Sequence, residues 1–219
     1  MIDYARARRT MVDTQIRVND VTDHRIVDAL SSVPRETFVP EGRRDLAYID
    51  DDVMVSDGTG TPRYILEPMA LAKMLQAAAI EPGESVLDVG TATGYSAAVL
   101  SQFAARVVAL EEDGALAGLA RQNLAGLTNV ELIEGPLAAG AQAMAPFNVI
   151  LLQGAVEIVP SALTSQLAEG GRLVAVVGKG RSAKCLVHSR LGSEISVRQV
   201  FDAAIPALPG FAATREFIF

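Results

Sequence analysis

The chain has 219 residues, half of them hydrophobic, with 18 glycines and 10 prolines, so it fits one large α/β domain and is not disordered, collagen-like or disulfide-rich. Its 19 Lys and Arg residues against 26 Asp and Glu residues give a net charge of −7, which disfavours a nucleic acid partner. The single cysteine, Cys185, excludes an intramolecular disulfide and a thiolate metal cluster, and we expect no metal.

The first third of the chain is predicted to contain two helices and a long irregular segment. Residue preferences indicate a helix from Asp3 to Ile16, and Thr22 can cap a second helix that ends at Ser32. From residue 33 to Pro68 many prolines and glycines interrupt the chain. Loops of this length are often lids or binding loops, so we expect this segment to form a wall of a binding site, on the side where an acceptor substrate would lie.

Strands and helices alternate after Pro68, a residue that suits the first turn of a helix. The predicted helices are 68–82, 94–103, 113–124 and 160–167, and the predicted strands are 85–89, 106–110, 130–133, 149–152 and 172–177. Three more strands, 185–191, 195–200 and 215–219, have no helix between them and predict an antiparallel edge. The alternation predicts a mainly parallel sheet. We expect residues 68–219 to form the core and residues 1–67 to pack on it as one compact unit.

A glycine loop follows the first core strand, directly after Asp88 and Val89. Gly90 and Gly94 allow a sharp turn and a close approach of a ligand to the backbone. Glu111 ends the next strand, where its carboxylate can accept both hydroxyls of a ribose. A dinucleotide site needs a third glycine where this chain has Tyr95. The loop instead resembles that of S-adenosylmethionine-dependent methyltransferases, whose cofactor carries no phosphate.

Several longer phrases of the sequence extend this resemblance. The quoted segments are Met11-Val12-Asp13-Thr14-Gln15-Ile16, Val33-Pro34-Arg35-Glu36-Thr37-Phe38-Val39-Pro40, Ala47-Tyr48-Ile49-Asp50 and Ala145-Pro146-Phe147-Asn148-Val149-Ile150. Together they resemble protein-L-isoaspartate O-methyltransferases over most of the chain. The resemblance implies a class I, Rossmann-like methyltransferase with a mainly parallel seven-stranded sheet, an antiparallel C-terminal edge and an N-terminal helical extension. It also implies S-adenosylmethionine as cofactor and methyl transfer to the carboxylate of isoaspartyl residues in damaged proteins.

The resemblance gives two groups of candidate site residues. The cofactor-binding candidates are Asp88, Gly90, Thr91, Ala92, Gly94, Tyr95, Glu111, Gly135 and Pro136. The acceptor-side candidates are Arg63, Tyr64, Leu66 and Glu67, and no catalytic residue is predicted among them. Arg63 and Tyr64 could recognise an anion there, because a guanidinium can fork onto a carboxylate.

The chain departs from the family pattern on both sides of the expected site. Leu66 stands where the family has an acceptor-site serine, and Glu67 replaces a neutral glutamine, so an anionic acceptor meets added negative charge. Pro136 replaces an aspartate that can face adenine, which leaves backbone groups or Glu134 to read the base. Ala92 replaces the middle glycine of the loop.

These departures leave three alternatives open. The chain is a carboxyl methyltransferase of the isoaspartyl type, or it has the same fold and cofactor with another acceptor, or it binds a cofactor or partner without turnover. The expected partner is a protein, a peptide or a small-molecule carboxylate. Because the N-terminus is not followed by an apolar signal core and no apolar run spans a bilayer, we expect a soluble cytoplasmic protein that does not bind a membrane.

Overall fold

The computed structural model describes residues 2–58 and 60–213 of the chain. Within them the α-helices are α1 (Tyr4–Met11), α2 (His24–Ser32), α3 (Pro68–Ala78), α4 (Tyr95–Leu100), α5 (Gly114–Leu124) and α6 (Ser161–Thr164). The strands are β1 (Val53–Met54), β2 (Tyr64–Ile65), β3 (Ser85–Val89), β4 (Arg106–Glu111), β5 (Val130–Glu134), β6 (Phe147–Val156), β7 (Leu167–Val177), β8 (Lys184–Leu191) and β9 (Glu194–Asp202). The predicted strand 215–219 lies outside the described residues.

The first helix is shorter than predicted. α1 ends at Met11, and the chain continues to Asn19 through one π-helical turn and one 3-10 turn. In this stretch the Thr14 hydroxyl donates to the Thr10 carbonyl at 2.8 Å, where it competes with the regular backbone hydrogen bonds. The predicted α-helix to Ile16 is therefore correct only in its first part.

The second helix is present with the predicted end and a different cap. Asp23, not Thr22, precedes the first helical residue, and its side chain accepts a hydrogen bond from the Arg25 backbone N–H at 2.9 Å. A carboxylate also favours the positive end of the helix. The helix ends at Ser32, two residues before Pro34, because the residue that precedes a proline avoids helical geometry.

The segment from residue 33 to residue 67 is irregular, as predicted, but it contains a small hairpin. β1 and β2 pair antiparallel, with Val53 opposite Ile65 and Met54 opposite Tyr64. Strands of two residues are too short to leave a periodic signal in the sequence. The hairpin matters for the site, because residue 63 directly precedes β2.

The core sheet has seven strands in the order β5-β4-β3-β6-β7-β8-β9. The first five strands are parallel to one another, and β8 and β9 continue the sheet antiparallel. This arrangement confirms the predicted mainly parallel sheet with an antiparallel edge. β3 is the middle one of the five parallel strands. The loop after β3 therefore opens where the carboxyl ends of β3, β4 and β6 meet, the usual place for a ligand in such a sheet.

Alternate residues of each buried strand serve two separate hydrophobic clusters. Val86 belongs to the first cluster and Leu87 to the second, as expected for a strand covered on both faces. Met11 and Leu30 belong to the same cluster as Val86. The N-terminal helices therefore pack on one face of the sheet and support the elements that carry the site.

Three helices of the core are shorter than the sequence predicted. α4 ends at Leu100 and not at Phe103. α3 ends at Ala78, because Ala79 adopts a left-handed conformation with φ of 47°. α6 spans Ser161–Thr164, and by Leu167 the chain has already entered β7. No helix in the described residues is long and apolar enough to cross a membrane.

Candidate functional site

The loop after β3 has the strained backbone of a tight turn. Gly90 and Gly94 have φ angles of 81° and 96°, and Ala92 has φ of 53°. Glycine adopts these angles freely, whereas an L-residue such as Ala92 pays about 1 to 2 kcal/mol. The Gly90 and Thr91 N–H groups both donate to the Leu110 carbonyl, at 2.8 and 3.2 Å. The loop is thereby tied to the end of β4.

Asp88 fastens the loop from below. Its carboxylate is fully buried and accepts hydrogen bonds from the Ser96 hydroxyl and the Gln153 side-chain amide, each at 2.6 Å. Burial raises the pKa of Asp88 to about 6. The two carboxylate oxygens thus accept hydrogen bonds from side chains of α4 and β6. The sequence alone did not predict these contacts.

Glu111 is the most heavily hydrogen-bonded carboxylate of the site. Arg63 donates from Nη1 to Oε1 at 2.5 Å and from Nη2 to Oε2 at 2.9 Å. The backbone N–H of Ala92 donates to Oε2 at 2.8 Å, and those of Glu112 and Asp113 donate to Oε1 at 3.0 and 3.1 Å. The side chains of Arg63 and Glu111 are 4% and 0% exposed, so the pair is shielded from water.

Arg63 thus contacts Glu111 and the glycine loop, which the sequence analysis assigned to the cofactor, whereas Arg63 itself was predicted on the acceptor side. Besides its fork onto Glu111, its Nη2 donates to the Gly90 carbonyl at 3.1 Å. The partner is 48 positions away in sequence, and no local pattern joins the two. Tyr64, the other half of the predicted anion-binding pair, lies instead in the wall of a small gap of about 10 Å³ with Leu66 and Tyr95.

A cavity of about 570 Å³ opens beside Arg63. Its walls are Thr61, Arg63, Glu112, Asp113, Glu134, Gly135, Pro136 and Pro209. Its volume falls within the usual range for small-molecule sites, and its three carboxylates suit a ligand that carries hydroxyl and amino groups or a positive charge. These residues and the glycine loop fit the nucleoside part of S-adenosylmethionine. Arg63 holds the one carboxylate, Glu111, that the sequence assigned to the ribose.

A second side chain covers the loop from the C-terminal side. Leu208 lies so close that a Cβ added at Gly90 would be 2.9 Å from its Cδ2, and one added at Gly154 would be 2.4 Å from its Cδ1. The Leu208 N–H donates to the Ala155 carbonyl at 2.8 Å. Sequence reasoning missed Leu208, because only the folded chain brings residues 205–211 back to the sheet.

Leu66 and Glu67, the other two residues predicted for the acceptor side, are an apolar and an acidic residue. Leu66 is buried, and its carbonyl accepts a hydrogen bond from Arg35 Nη2 at 2.8 Å. The Glu67 N–H donates to Asp52 Oδ1 at 2.8 Å. Burial, reinforced by the neighbouring aspartates, raises the pKa of Glu67 to about 7, and burial raises that of Asp52 to about 6. This half of the site therefore carries ionisable groups that titrate near neutral pH.

The remaining candidates support the loop or line the cavity. Tyr95 is buried beneath the loop, with the Arg35 guanidinium 4.8 Å from its ring centre and Phe38 in edge contact. Gly135 donates its N–H to the Glu111 carbonyl oxygen at 3.0 Å, and Pro136 follows it in the cavity wall. Within residues 2–58 and 60–213, no group of three His, Cys, Asp or Glu side chains could hold a metal ion.

The central glycine loop, the acidic strand end of β4 and the sheet order define a methyltransferase of the Rossmann-like class. A family model described as Protein-L-isoaspartate(D-aspartate) O-methyltransferase (PCMT) matches residues 6–205. A protein-L-isoaspartate O-methyltransferase from Koribacter versatilis (strain Ellin345) is 43% identical over 177 residues, which cover 80% of this chain and 78% of that protein. Its counterpart from Roseiflexus sp. (strain RS-1) is 37% identical over 219 residues and 98% of both chains.

Solved structures agree on the fold. A protein-L-isoaspartate O-methyltransferase matches with a TM-score of 0.82 at 23% identity, over 93% of this chain and 66% of that chain, so this chain spans just under two thirds of its length. A protein-L-isoaspartate O-methyltransferase from Plasmodium falciparum, in complex with S-adenosyl-L-homocysteine, matches with a TM-score of 0.74 at 19% identity, over 92% and 97%.

The chain belongs to the protein-L-isoaspartate O-methyltransferase family, because the family model covers most of its length. This membership confirms the predicted resemblance, fold class and enzyme class, an S-adenosylmethionine-dependent methyltransferase. The roles of individual site residues remain predictions.

Proposed function

We propose that the chain transfers a methyl group from S-adenosylmethionine to the side-chain or α-carboxylate of an altered aspartyl residue in a protein or peptide. The family match over residues 6–205 carries this proposal. Support from the site comes from the loop at Gly90–Gly94 and from Glu111, which lie together at the carboxyl ends of β3 and β4. The acceptor class follows the names of the relatives from Koribacter versatilis and Roseiflexus sp., both of which are protein-L-isoaspartate O-methyltransferases.

The residues that would hold the cofactor are Glu134 and Gly135 in the wall of the 570 Å³ cavity, together with Glu111 and the glycine loop, which lie behind Arg63 and are not part of that wall. Glu111 would accept the ribose hydroxyls, the backbone at Gly90 and Gly94 would permit close approach, and Glu134 with Gly135 would face the base. When bound, S-adenosylmethionine supplies an activated methyl group with a neutral thioether as leaving group. Asp88 would keep the loop in shape through Ser96 and Gln153.

The protein's own contribution is then mainly orientation. A carboxylate acceptor is already nucleophilic, so the site needs no general base. Holding two reacting groups in line is worth up to about 7 to 11 kcal/mol in the best intramolecular reactions. The rigid sheet end and the hydrogen-bonded loop are suited to this task, because they would hold the nucleoside in one position relative to Tyr64 and Leu66.

A second candidate function keeps the fold and cofactor and changes the acceptor. The observation that favours it is the acidic acceptor side, where Glu67 and Asp52 are partly buried and in contact through a backbone hydrogen bond. When ionised, these groups repel a carboxylate and favour a neutral or cationic acceptor. Leu66 offers no hydrogen bond to replace the family serine.

One experiment separates these candidates. Radiolabelled S-adenosylmethionine is incubated with the protein and with two peptides of the same sequence, one with an isoaspartyl and one with an ordinary aspartyl residue. Label on the isoaspartyl peptide alone supports the first function. If neither peptide is labelled although the protein binds S-adenosylhomocysteine, the first function is refuted. In that case, labelling that appears in the Leu66→Ser variant identifies the acceptor side as the cause.

A cytoplasmic location remains part of the proposal. Its support is the buried, unpaired Cys185, which suits a reducing compartment. Fractionation of cells that express the tagged protein tests it.

A further inference from the structure

We infer that Arg63 is a built-in competitor of the cofactor: its guanidinium occupies the carboxylate of Glu111, so that a nucleoside can bind there only after Arg63 has moved away. The inference rests on the proposed function, since it concerns the ribose contact of that same site. It makes Arg63 the residue that sets the affinity of the nucleoside site.

The hydrogen bonds of Glu111 exclude simultaneous binding. Two N–H groups of Arg63 and three backbone N–H groups donate to its two oxygens. A carboxylate offers about four acceptor positions, so five donors already exceed its capacity. Two ribose hydroxyls therefore cannot be added to these five donors and can only take the places of two of them. The backbone donors, from Ala92, Glu112 and Asp113, are fixed by the loop and the start of α5, whereas the side chain of Arg63 can rotate.

The position of Arg63 also blocks the approach to the loop. A Cβ added at Gly90 would lie 3.0 Å from its Nη2, so the guanidinium rests on the surface of the loop that a ligand would touch. The contact is charge-assisted, two-pronged and buried, so separating the two groups without a replacement partner leaves a buried charge uncompensated, which is strongly unfavourable. A ligand must therefore break a strong internal contact before it gains its own.

The structure provides a route for this movement. The backbone of residue 63 is held in the hairpin, because the Val55 N–H donates to the Arg63 carbonyl at 2.8 Å and the Ser56 hydroxyl accepts from the Arg63 N–H at 3.2 Å. The side chain borders the 570 Å³ cavity, whose other walls include Glu112, Asp113 and Glu134. A guanidinium that leaves Glu111 meets these carboxylates, so its charge stays compensated and the hairpin need not unfold.

The test measures the affinity for S-adenosylhomocysteine by calorimetry, in the whole protein, for the wild type and for Arg63→Met. If Arg63 holds Glu111 in more than about nine tenths of the molecules, its removal tightens binding about tenfold or more, because the competent fraction limits the apparent affinity. Arg63→Lys, which keeps the charge and cannot form the fork, is expected to bind with intermediate affinity. Thermal unfolding of each variant without ligand confirms that it is folded.

The matched control is Arg43→Met. Arg43 also ties down the hairpin, through hydrogen bonds from Nη1 to the Met54 and Ser56 carbonyls at 2.8 and 3.3 Å, but it does not touch Glu111. If loosening of the hairpin were enough to tighten binding, this variant would bind more tightly as well. We expect its affinity to equal that of the wild type.

The outcomes separate this inference from the proposed function. Tighter binding by Arg63→Met together with an unchanged Arg43→Met supports the competitor role. If the wild type binds S-adenosylhomocysteine and both Arg63→Met and Arg63→Lys bind it with equal or lower affinity, the inference is overturned. The proposed function is then unaffected. An equal gain in the Arg43→Met variant also overturns it. If no variant binds S-adenosylhomocysteine, the proposed function fails, and the inference fails with it.

Discussion

Replacement of Asp88 by asparagine is expected to stabilise the protein at neutral pH. Asp88 is fully buried, and burial raises its pKa from 3.8 to about 6. Asparagine has nearly the same shape, can accept from the Gln153 amide, and can donate to the Ser96 hydroxyl in place of accepting from it. The variant therefore keeps both contacts and removes a buried charge.

The size of the effect follows from the pKa shift. A rise of about two pKa units corresponds to about 3 kcal/mol, at about 1.4 kcal/mol per unit. Because the folded-state pKa of Asp88 lies above that of the unfolded chain, ionisation destabilises the fold. The loss starts as the pH rises above about 4 and is complete above about 6. Protein relaxation around the charge reduces the gain on mutation. We therefore expect the free energy of unfolding to rise by about 1 to 3 kcal/mol at pH 7.5.

Urea unfolding at pH 4.5 and pH 7.5 measures this difference. We expect Asp88→Asn to gain stability relative to the wild type at pH 7.5 and to gain clearly less at pH 4.5, where only part of the loss has occurred. The exposed Asp28→Asn in α2 serves as the control for the loss of one negative charge. Equal stability of wild type and Asp88→Asn at pH 7.5, or a gain that does not depend on pH, would refute the reasoning.

Four further predictions concern the acceptor side, β6, α5 and the glycine loop. The rate of methyl transfer to an isoaspartyl peptide should increase as the pH falls from 8 to 6. The reason is that protonation of Glu67, whose pKa is raised to about 7, removes its repulsion of the peptide carboxylate. In kinetic assays the rate of Glu67→Gln should depend less on pH. Gly154→Ala should lower stability by about 1 to 3 kcal/mol in urea unfolding, since its Cβ would be 2.4 Å from Leu208 Cδ1. Gly118→Ala, with nothing within 4 Å, should instead stabilise α5 by up to about 1 kcal/mol. Ala92→Gly should raise the melting temperature slightly, because it relieves the left-handed strain at φ 53°.

The sheet could be predicted from sequence because its signals are local. β3 and β4 are short runs of buried apolar residues between helical stretches, and each ends beside an acidic residue that marks the loop edge. The same local signals located Asp88, Gly90 and Glu111. Their neighbourhood was predictable as well, since the carboxyl ends of adjacent parallel strands meet at one edge.

The side chains that cover this edge of the sheet could not be predicted, because they come from distant parts of the chain. Arg63 reaches Glu111 across 48 positions, and Leu208 reaches Gly90 from the C-terminal side. Neither contact has a periodic or spacing signal. The sequence analysis predicted that the forked guanidinium of Arg63 would bind the carboxylate of an acceptor. In the structure the same fork binds the carboxylate of Glu111 instead.

The charges around the cavity explain why an arginine stands there. Glu111 is buried, and Glu112, Asp113 and Glu134 line the adjoining cavity. A buried carboxylate with no cation nearby is strongly destabilising, whereas a paired one is tolerated. In the proposed function the positive charge comes from the cofactor, so under the competitor inference Arg63 supplies that charge before the cofactor binds and must be displaced when it does. The Arg63 side chain therefore stabilises the cofactor-free protein but lowers its affinity for the cofactor. Arg63→Met should accordingly lower the stability of the cofactor-free protein and raise its affinity.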